Sequence, residues 1–228
     1  MRQMQVETVK LSLARPCKRA QELRNAVSVV RITFEEQGFI GLGECTPAFE
    51  YQESAASVCR QLDAVRGAVT RGAQVIKLKL DRSDIVEKIA AVRDAAPRAT
   101  LMVDATESWA GLDLLSLCHA LLPYNIALIE QPLPAGKDQE LLRFSHPIPL
   151  CADESCRHAG DIPGIRRLYE MINIKLDKCG GLTEALAMVR EARLHGLKLM
   201  VGCLVGSSLA MEAALPVAAA DYVDLDGR

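Results

Sequence analysis

Three carboxylates and two lysines recur along this chain at intervals of about 22 to 26 residues: Lys79, Asp104, Glu130, Asp153 and Lys175. Carboxylates gathered away from water repel one another, and they stay ionised only if a cation offsets the charge. Asp104, Glu130 and Asp153 are hard oxygen donors with little histidine nearby, a set that suits Mg²⁺. One acid at a strand end would ordinarily be a helix cap or a surface ion-pair partner. Three in successive units at one period point to a metal site. A lysine acts as a general base only if its pKa is brought down toward the working pH. Lys77 and Lys79 are two apart, so on a strand they point the same way, and Lys77 and the metal both disfavour the charged form of Lys79. The chemistry this set could do is proton transfer beside a carboxylate. A carboxylate chelating the metal has its enediolate stabilised as charge develops. One lysine takes the α-proton, the lysine on the other face returns one, and the carbon is inverted.

Such residues need elements to position them. From Val75 onward short apolar segments alternate with amphipathic ones: VIKLKL, ATLMVDA, IALIEQP, IPLCADES, MINIKLD, LKLMVGC and YVDLDG read as strands. Asp84 to Ala95 and Thr183 to His195 read as helices between them. Alternation of this kind means a parallel sheet covered by helices, as an open doubly wound sheet or a barrel. In an open sheet the functional residues collect at one switch point. Here every unit contributes one at its C-terminal end, which favours a barrel, whose mouth collects all strand ends. The start of the chain has a different rhythm. Met4 to Leu13, Ala26 to Phe34 and Phe39 to Glu44 alternate as antiparallel strands, Gln37-Gly38 can supply a turn, and Ser54 to Val65 is helical. The expected organisation is an α+β domain over residues 1–66 and a β/α domain over 67–228.

Composition narrows the function classes. The chain has 228 residues, half of them hydrophobic, and a formal net charge of -2. That balance gives no reason to expect nucleic acid or an acidic membrane surface as partner. No apolar run approaches the roughly 18–20 residues of a membrane span. The charged, alternating start reads as a strand and not as a signal peptide, so a cytoplasmic protein is expected. The eight cysteines show no C-x-x-C spacing, and they read as reduced structural thiols.

The motifs VIKLKLD, VDATESW, IEQPLP, ADESC, NIKLDKCGGLTEAL, MVGC and DLDG stand in an order that resembles the L-Ala-D/L-Glu epimerases, the dipeptide epimerase branch of the enolase superfamily. GLGECTP and Tyr51-Gln52-Glu53-Ser54 extend the resemblance into the first domain. The resemblance implies an isomerase with Lys79 and Lys175 as the acid/base pair and Asp104, Glu130 and Asp153 as ligands of Mg²⁺. It implies a small dipeptide as substrate, a place in recycling of cell-wall peptides, and a possible homo-oligomer. Asp224 and Asp226 would bind the dipeptide's α-ammonium, a sensible use of two carboxylates on one strand face. Lys77, Arg19 and Cys203 would complete the substrate pocket, Arg19 from a first-domain loop that meets a distal carboxylate. Gly202 would allow close backbone approach. The chain is shorter than the family pattern. The expected fold is an enolase-superfamily (β/α) barrel lacking its first strand and its last helix, with a reduced capping domain. Another racemase or cycloisomerase of the same mechanistic group, an N-acylamino acid racemase among them, and a shortened relative that only binds metal and ligand, remain open on these residues.

Overall fold

The computed structural model describes residues 3–19, 22–36, 39–45, 55–70, 73–204 and 208–225. The chain forms two compact units, Met1–Gln74 with Ser83–Ala99, and Val75–Arg82 with Thr100–Arg228.

In the first unit β1 (Gln3–Arg19), β2 (Glu22–Glu36) and β3 (Phe39–Cys45) make an antiparallel sheet in that order. The ladder of β1 on β2 runs from Gln3↔Glu35 to Ser12↔Ala26, shifts register, and resumes at Cys17↔Arg24. Pro16 lies in the interrupted stretch, where its missing N–H cannot join a ladder. The strands are therefore longer than the alternation suggests. Arg19, expected in a loop, is the last residue of β1, opposite Glu22: pairing resumes past the irregularity and carries the strand on. Also in this unit are the helices α1 (Ala55–Thr70) and α2 (Ile85–Ala95). Ile85, Ile89 and Val92 recur at helical spacing and are the buried side of α2. Arg66 of α1 donates to the carbonyl of Met4 at 3.3 Å, anchoring the helix on β1.

Among the described residues the second unit is built on seven strands: β4 (Val75–Lys79), β5 (Thr100–Asp104), β6 (Ile126–Glu130), β7 (Leu150–Ala152), β8 (Met171–Ile174), β9 (Lys198–Gly202) and β10 (Tyr222–Asp224). Each pairs in parallel with the next in chain order, giving the sheet β10-β9-β8-β7-β6-β5-β4. Between the strands come α3 (Leu114–Leu121), α4 (Ile162–Ile165), α5 (Leu176–Cys179), α6 (Leu182–Leu194) and α7 (Ser208–Ala214). Asp113 caps α3, its side chain accepting from the Ser116 N–H.

The sheet curls around a buried apolar layer, as the wall of a barrel does. Met102, Leu128, Cys151, Met171 and Met200, one from each of β5 to β9, pack together, with Tyr222 of β10 against them. Successive side chains of a strand alternate faces, so the residue two places on from each returns to the same face. Those residues are Asp104, Glu130, Asp153, Asn173, Gly202 and Asp224. One apolar layer thus carries one polar layer directly above it, toward the C-terminal ends of the strands. Side chains of the opposite face, such as Leu101, Val103, Ile129, Leu150, Ile172 and Leu199, are also buried. Burial on both faces is what a parallel sheet requires and why its strands read as nearly continuous apolar runs.

Candidate active site

The strand ends supply the candidate residues. Lys79, Asp104, Glu130, Gly202 and Asp224 are the last residues of their strands, and Asp153 and Lys175 follow theirs directly. Parallel pairing in register then places neighbours side by side: Lys79 opposite Asp104, and Asp104 opposite Glu130.

The Lys77 ammonium lies among carboxylates from three strands. It is 2.7 Å from Glu130 Oε2, 2.8 Å from Asp224 Oδ2 and 3.4 Å from Asp104 Oδ2. Burial pulls the Lys77 pKa down, but Glu130, Asp104 and Asp224 outweigh it and hold the group well above the ordinary lysine value. Lys79 lies 3.5 Å from Asp104 Oδ2 with 74% of its side chain exposed, so it faces the open mouth where Lys77 faces the interior. Asp104 is fixed by Thr106, whose N–H and hydroxyl both donate to Oδ1, at 2.9 and 2.8 Å.

Glu130 is fully buried. Desolvation pushes its pKa up to about 7; Lys77 pulls it back, and the charges of Asp104 and Asp153 add to the rise. Its Oε1 accepts from Asn173 Nδ2 at 2.7 Å. Its Oε2 has the Lys77 ammonium close by as an ion pair, yet no donor is aligned on it. Asn173 is seated against Gly202, where a Cβ would come within 2.7 Å of Asn173 Oδ1. Asp153 bonds to two ammonium groups, Lys175 on Oδ2 and Lys178 on Oδ1. Burial raises its pKa, but Lys178 and Lys175 outweigh that and hold it below the usual carboxylate range. The same contact, against the opposing pull of burial, holds Lys175 above the ordinary lysine value. Lys178 also donates to the carbonyls of Asp153 and Asn173, tying the ends of β7 and β8 together.

Lys77, Lys79, Asp104, Glu130 and Asp224 therefore meet in one cluster, and Asp153 with Lys175 forms the adjoining one, joined to it through Asn173 and Lys178. Cys203 is half-buried, its thiol directed at the Asp224 carbonyl at 3.5 Å. Arg19 belongs to the other unit. Asp226 lies outside the described residues. Asn173, Lys178 and Gln131 were not singled out from the sequence. For Asn173 a signal existed: Met171-Ile172-Asn173 repeats the spacing of Met102-Val103-Asp104. Lys178 sits in a helical turn where a surface position is the ordinary expectation, and only its contacts reveal it.

Among the described residues no three His, Cys, Asp or Glu side chains form a ready-made metal cluster. The donor set nevertheless fits a hard divalent ion. The three acids are oxygen donors, Glu130 Oε2 has no aligned donor, and the space between Asp104 and Glu130 already takes a positive charge from Lys77. No helix among the described residues is long and apolar enough to cross a membrane.

A family model for the enolase C-terminal domain-like proteins matches residues 60–222. The chain belongs to this family. An L-Ala-D/L-Glu epimerase of Escherichia coli K12 is 36% identical over 281 aligned positions, covering 91% of this chain and 88% of that protein. That alignment is longer than the 228 residues here, so the relative carries stretches with no counterpart in this chain. An N-acetyl-D-glutamate racemase of Pseudoalteromonas is 50% identical over 154 residues, 67% of this chain and 49% of that protein. The chain thus spans about half the length of that relative. A solved L-Ala-D/L-Glu epimerase superposes with a TM-score of 0.70 at 34% identity, covering 100% of this chain and 92% of that one. The named activities of these family members are epimerisation and racemisation, both isomerase reactions.

Proposed function

We propose that this protein is a Mg²⁺-dependent isomerase that epimerises L-Ala-D/L-Glu dipeptides by proton transfer between two lysines. The observation that carries this reading is the convergence of Lys79, Asp104, Glu130, Asp153 and Lys175 at the C-terminal ends of consecutive strands. Asp104, Glu130 and Asp153 would hold Mg²⁺, which when bound supplies positive charge next to the substrate carboxylate and so favours the charge that develops as the α-proton leaves. Lys79 and Lys175 are the proton-moving pair, each serving one face of the α-carbon. Lys175, held as an ammonium by Asp153, stands ready as donor; Lys79, at the mouth, is the partner that accepts. In the reverse direction the roles exchange. Lys77 balances the charge of Glu130 and Asp104 and borders the substrate together with Cys203, while Asp224 and Asp226 are assigned to the substrate's ammonium. A cytoplasmic place in recycling of cell-wall peptides goes with this substrate.

A second reading is favoured by one contact. Asp224 already accepts a bond from Lys77 at 2.8 Å, so a substrate ammonium must compete for it. An N-acylated glutamate with no free ammonium, the kind of substrate named for the Pseudoalteromonas relative, would not need to.

The test is exchange of the α-proton in D₂O, followed by mass spectrometry, with L-Ala-L-Glu and N-acetylglutamate, with and without Mg²⁺. The expected result is metal-dependent exchange, greater for the dipeptide. Lys79→Ala and Lys175→Ala should each leave exchange one-sided or lower it by about 10²–10⁴-fold. Exchange of neither substrate, with metal bound, would overturn the enzymatic reading; exchange of N-acetylglutamate alone would replace the dipeptide by an N-acyl amino acid.

A further inference from the structure

Gln131 follows Glu130 at the end of β6, and it has an uncommon backbone. Its φ is +38°, left-handed for a residue that is neither glycine nor asparagine. It is fully buried, and its side chain is saturated with partners. Oε1 accepts the N–H groups of Asp153 and Ser155 at 2.8 and 3.2 Å. Nε2 donates to the Leu133 carbonyl and to Ser155 Oγ, both at 2.8 Å, and lies 3.1 Å from Tyr169 Oη. Behind these, Asp138 accepts from the hydroxyls of Tyr169 and Ser155 and locks the ring of contacts.

The main chain of Gln131 works in both directions across the strand ends. Its N–H donates to the Cys151 carbonyl at 2.9 Å, and its carbonyl accepts from Glu107 N–H at 2.8 Å. Glu107 belongs to the turn after Asp104, and both it and Thr106 are also left-handed. One residue thereby touches the turn that follows Asp104, adjoins Glu130, and grips the amide of Asp153. Strained backbone persists only where its surroundings over-determine it, and it gathers where geometry matters for function.

We propose that Gln131 is a positioning residue that holds the Asp104, Glu130 and Asp153 loops in a single register, and so sets the affinity of those three carboxylates for a divalent cation. The inference rests on the reading of these acids as cation ligands. Partners that orient metal ligands typically contribute 10- to 100-fold in affinity.

Gln131→Asn is the decisive variant. Asparagine adopts left-handed backbone more readily than glutamine, so the strain is eased, while the shortened amide no longer reaches the Asp153 and Ser155 N–H groups. Gln131→Met, which keeps the bulk and removes the polar atoms, is the second variant. Mn²⁺ binding is measured by electron paramagnetic resonance on the full chain without substrate, and thermal melting is recorded for each variant. The expected result, read well below every melting temperature, is Mn²⁺ binding weakened about 10- to 100-fold in Gln131→Asn, with melting lowered because the buried Asp153 and Ser155 N–H groups lose their acceptor, and a comparable weakening in Gln131→Met. Variants that bind Mn²⁺ within about threefold of the parent, a change small against that 10- to 100-fold expectation, whatever their melting temperature, would overturn the inference and leave the cation reading standing. A parent chain that binds no Mn²⁺ would overturn both.

Discussion

Glycine 202 shows how narrowly one residue type is specified at the mouth. A Cβ placed there meets Asn173 Oδ1 at 2.7 Å and Nδ2 at 2.9 Å, closer than van der Waals contact permits. Asn173 cannot yield without losing its bond to Glu130 Oε1, which would leave a buried carboxylate oxygen without a donor. Gly202→Ala is therefore expected to destabilise the fold by about 1–3 kcal/mol, read as a lower urea midpoint at unchanged slope. It should also weaken Mg²⁺ binding measured by calorimetry. Retained stability together with retained metal binding would show that Asn173 has room to move and that its bond to Glu130 is dispensable. The neighbouring carboxylates were plain in the sequence because acids at a fixed period are conspicuous. Asn173 and Gln131 were not, since an amide carries no charge to mark it and its worth depends on which atoms the fold brings near.

Elements are joined at their entrances as well as at their C-terminal ends. His146 lies in the segment leading to β7, with Nδ1 2.8 Å from Glu170 Oε1 and Nε2 2.9 Å from the Leu141 carbonyl. Glu170 precedes β8, and its Oε2 accepts the N–H of Leu150, the first residue of β7. Both ring nitrogens face oxygens, so the doubly protonated ring satisfies both. The bond to Glu170 raises the His146 pKa, burial opposes the rise, and the Leu141 carbonyl adds to it. The folded value is above the unfolded one of about 6.5. The stabilisation is therefore complete below pH 6.5 and is lost as pH rises through the raised folded value. Measured as the difference in urea midpoint between the parent and His146→Ala, the contribution should be largest near pH 5.5 and smallest near pH 8.5. A difference that stays flat across that range would mean the ring is neutral throughout. At this scale the sequence was most readable where a period was strong, as in β5, β6, α2 and α6. It was least readable at β1, where pairing with β2 resumes beyond the irregularity at Pro16 and turns an expected loop at Arg19 into strand.

Across the second unit as a whole, the first and last strands of the sheet are not paired with each other, yet Lys77 of β4 and Asp224 of β10 are joined at 2.8 Å. Edge strands offer unpaired N–H and C=O groups, and Val75 and Val223 on these two are about half exposed. A charge-assisted bond between them restrains the two edges at the mouth. Lys77→Met should raise amide exchange in β4 and β10 by about tenfold or more, the equivalent of losing one hydrogen bond to a charged group. The central strands β6 to β8 should keep their protection. Uniformly faster exchange would instead mean that Lys77 supports the whole barrel by neutralising Glu130. The sequence by itself determined the parallel β/α rhythm, the carboxylates and lysines at the strand ends, and the family resemblance. Each of these is written in period and residue type, which local chain geometry translates directly. Only the tertiary structure decided that Lys77 is the ammonium shared by Glu130, Asp104 and Asp224, that Lys178 holds Asp153 beside Lys175, and that Gln131 links the loops of all three acids. Those relations join residues tens of positions apart, up to 147 between Lys77 and Asp224. They exist only because the curl of the sheet brings strand ends together.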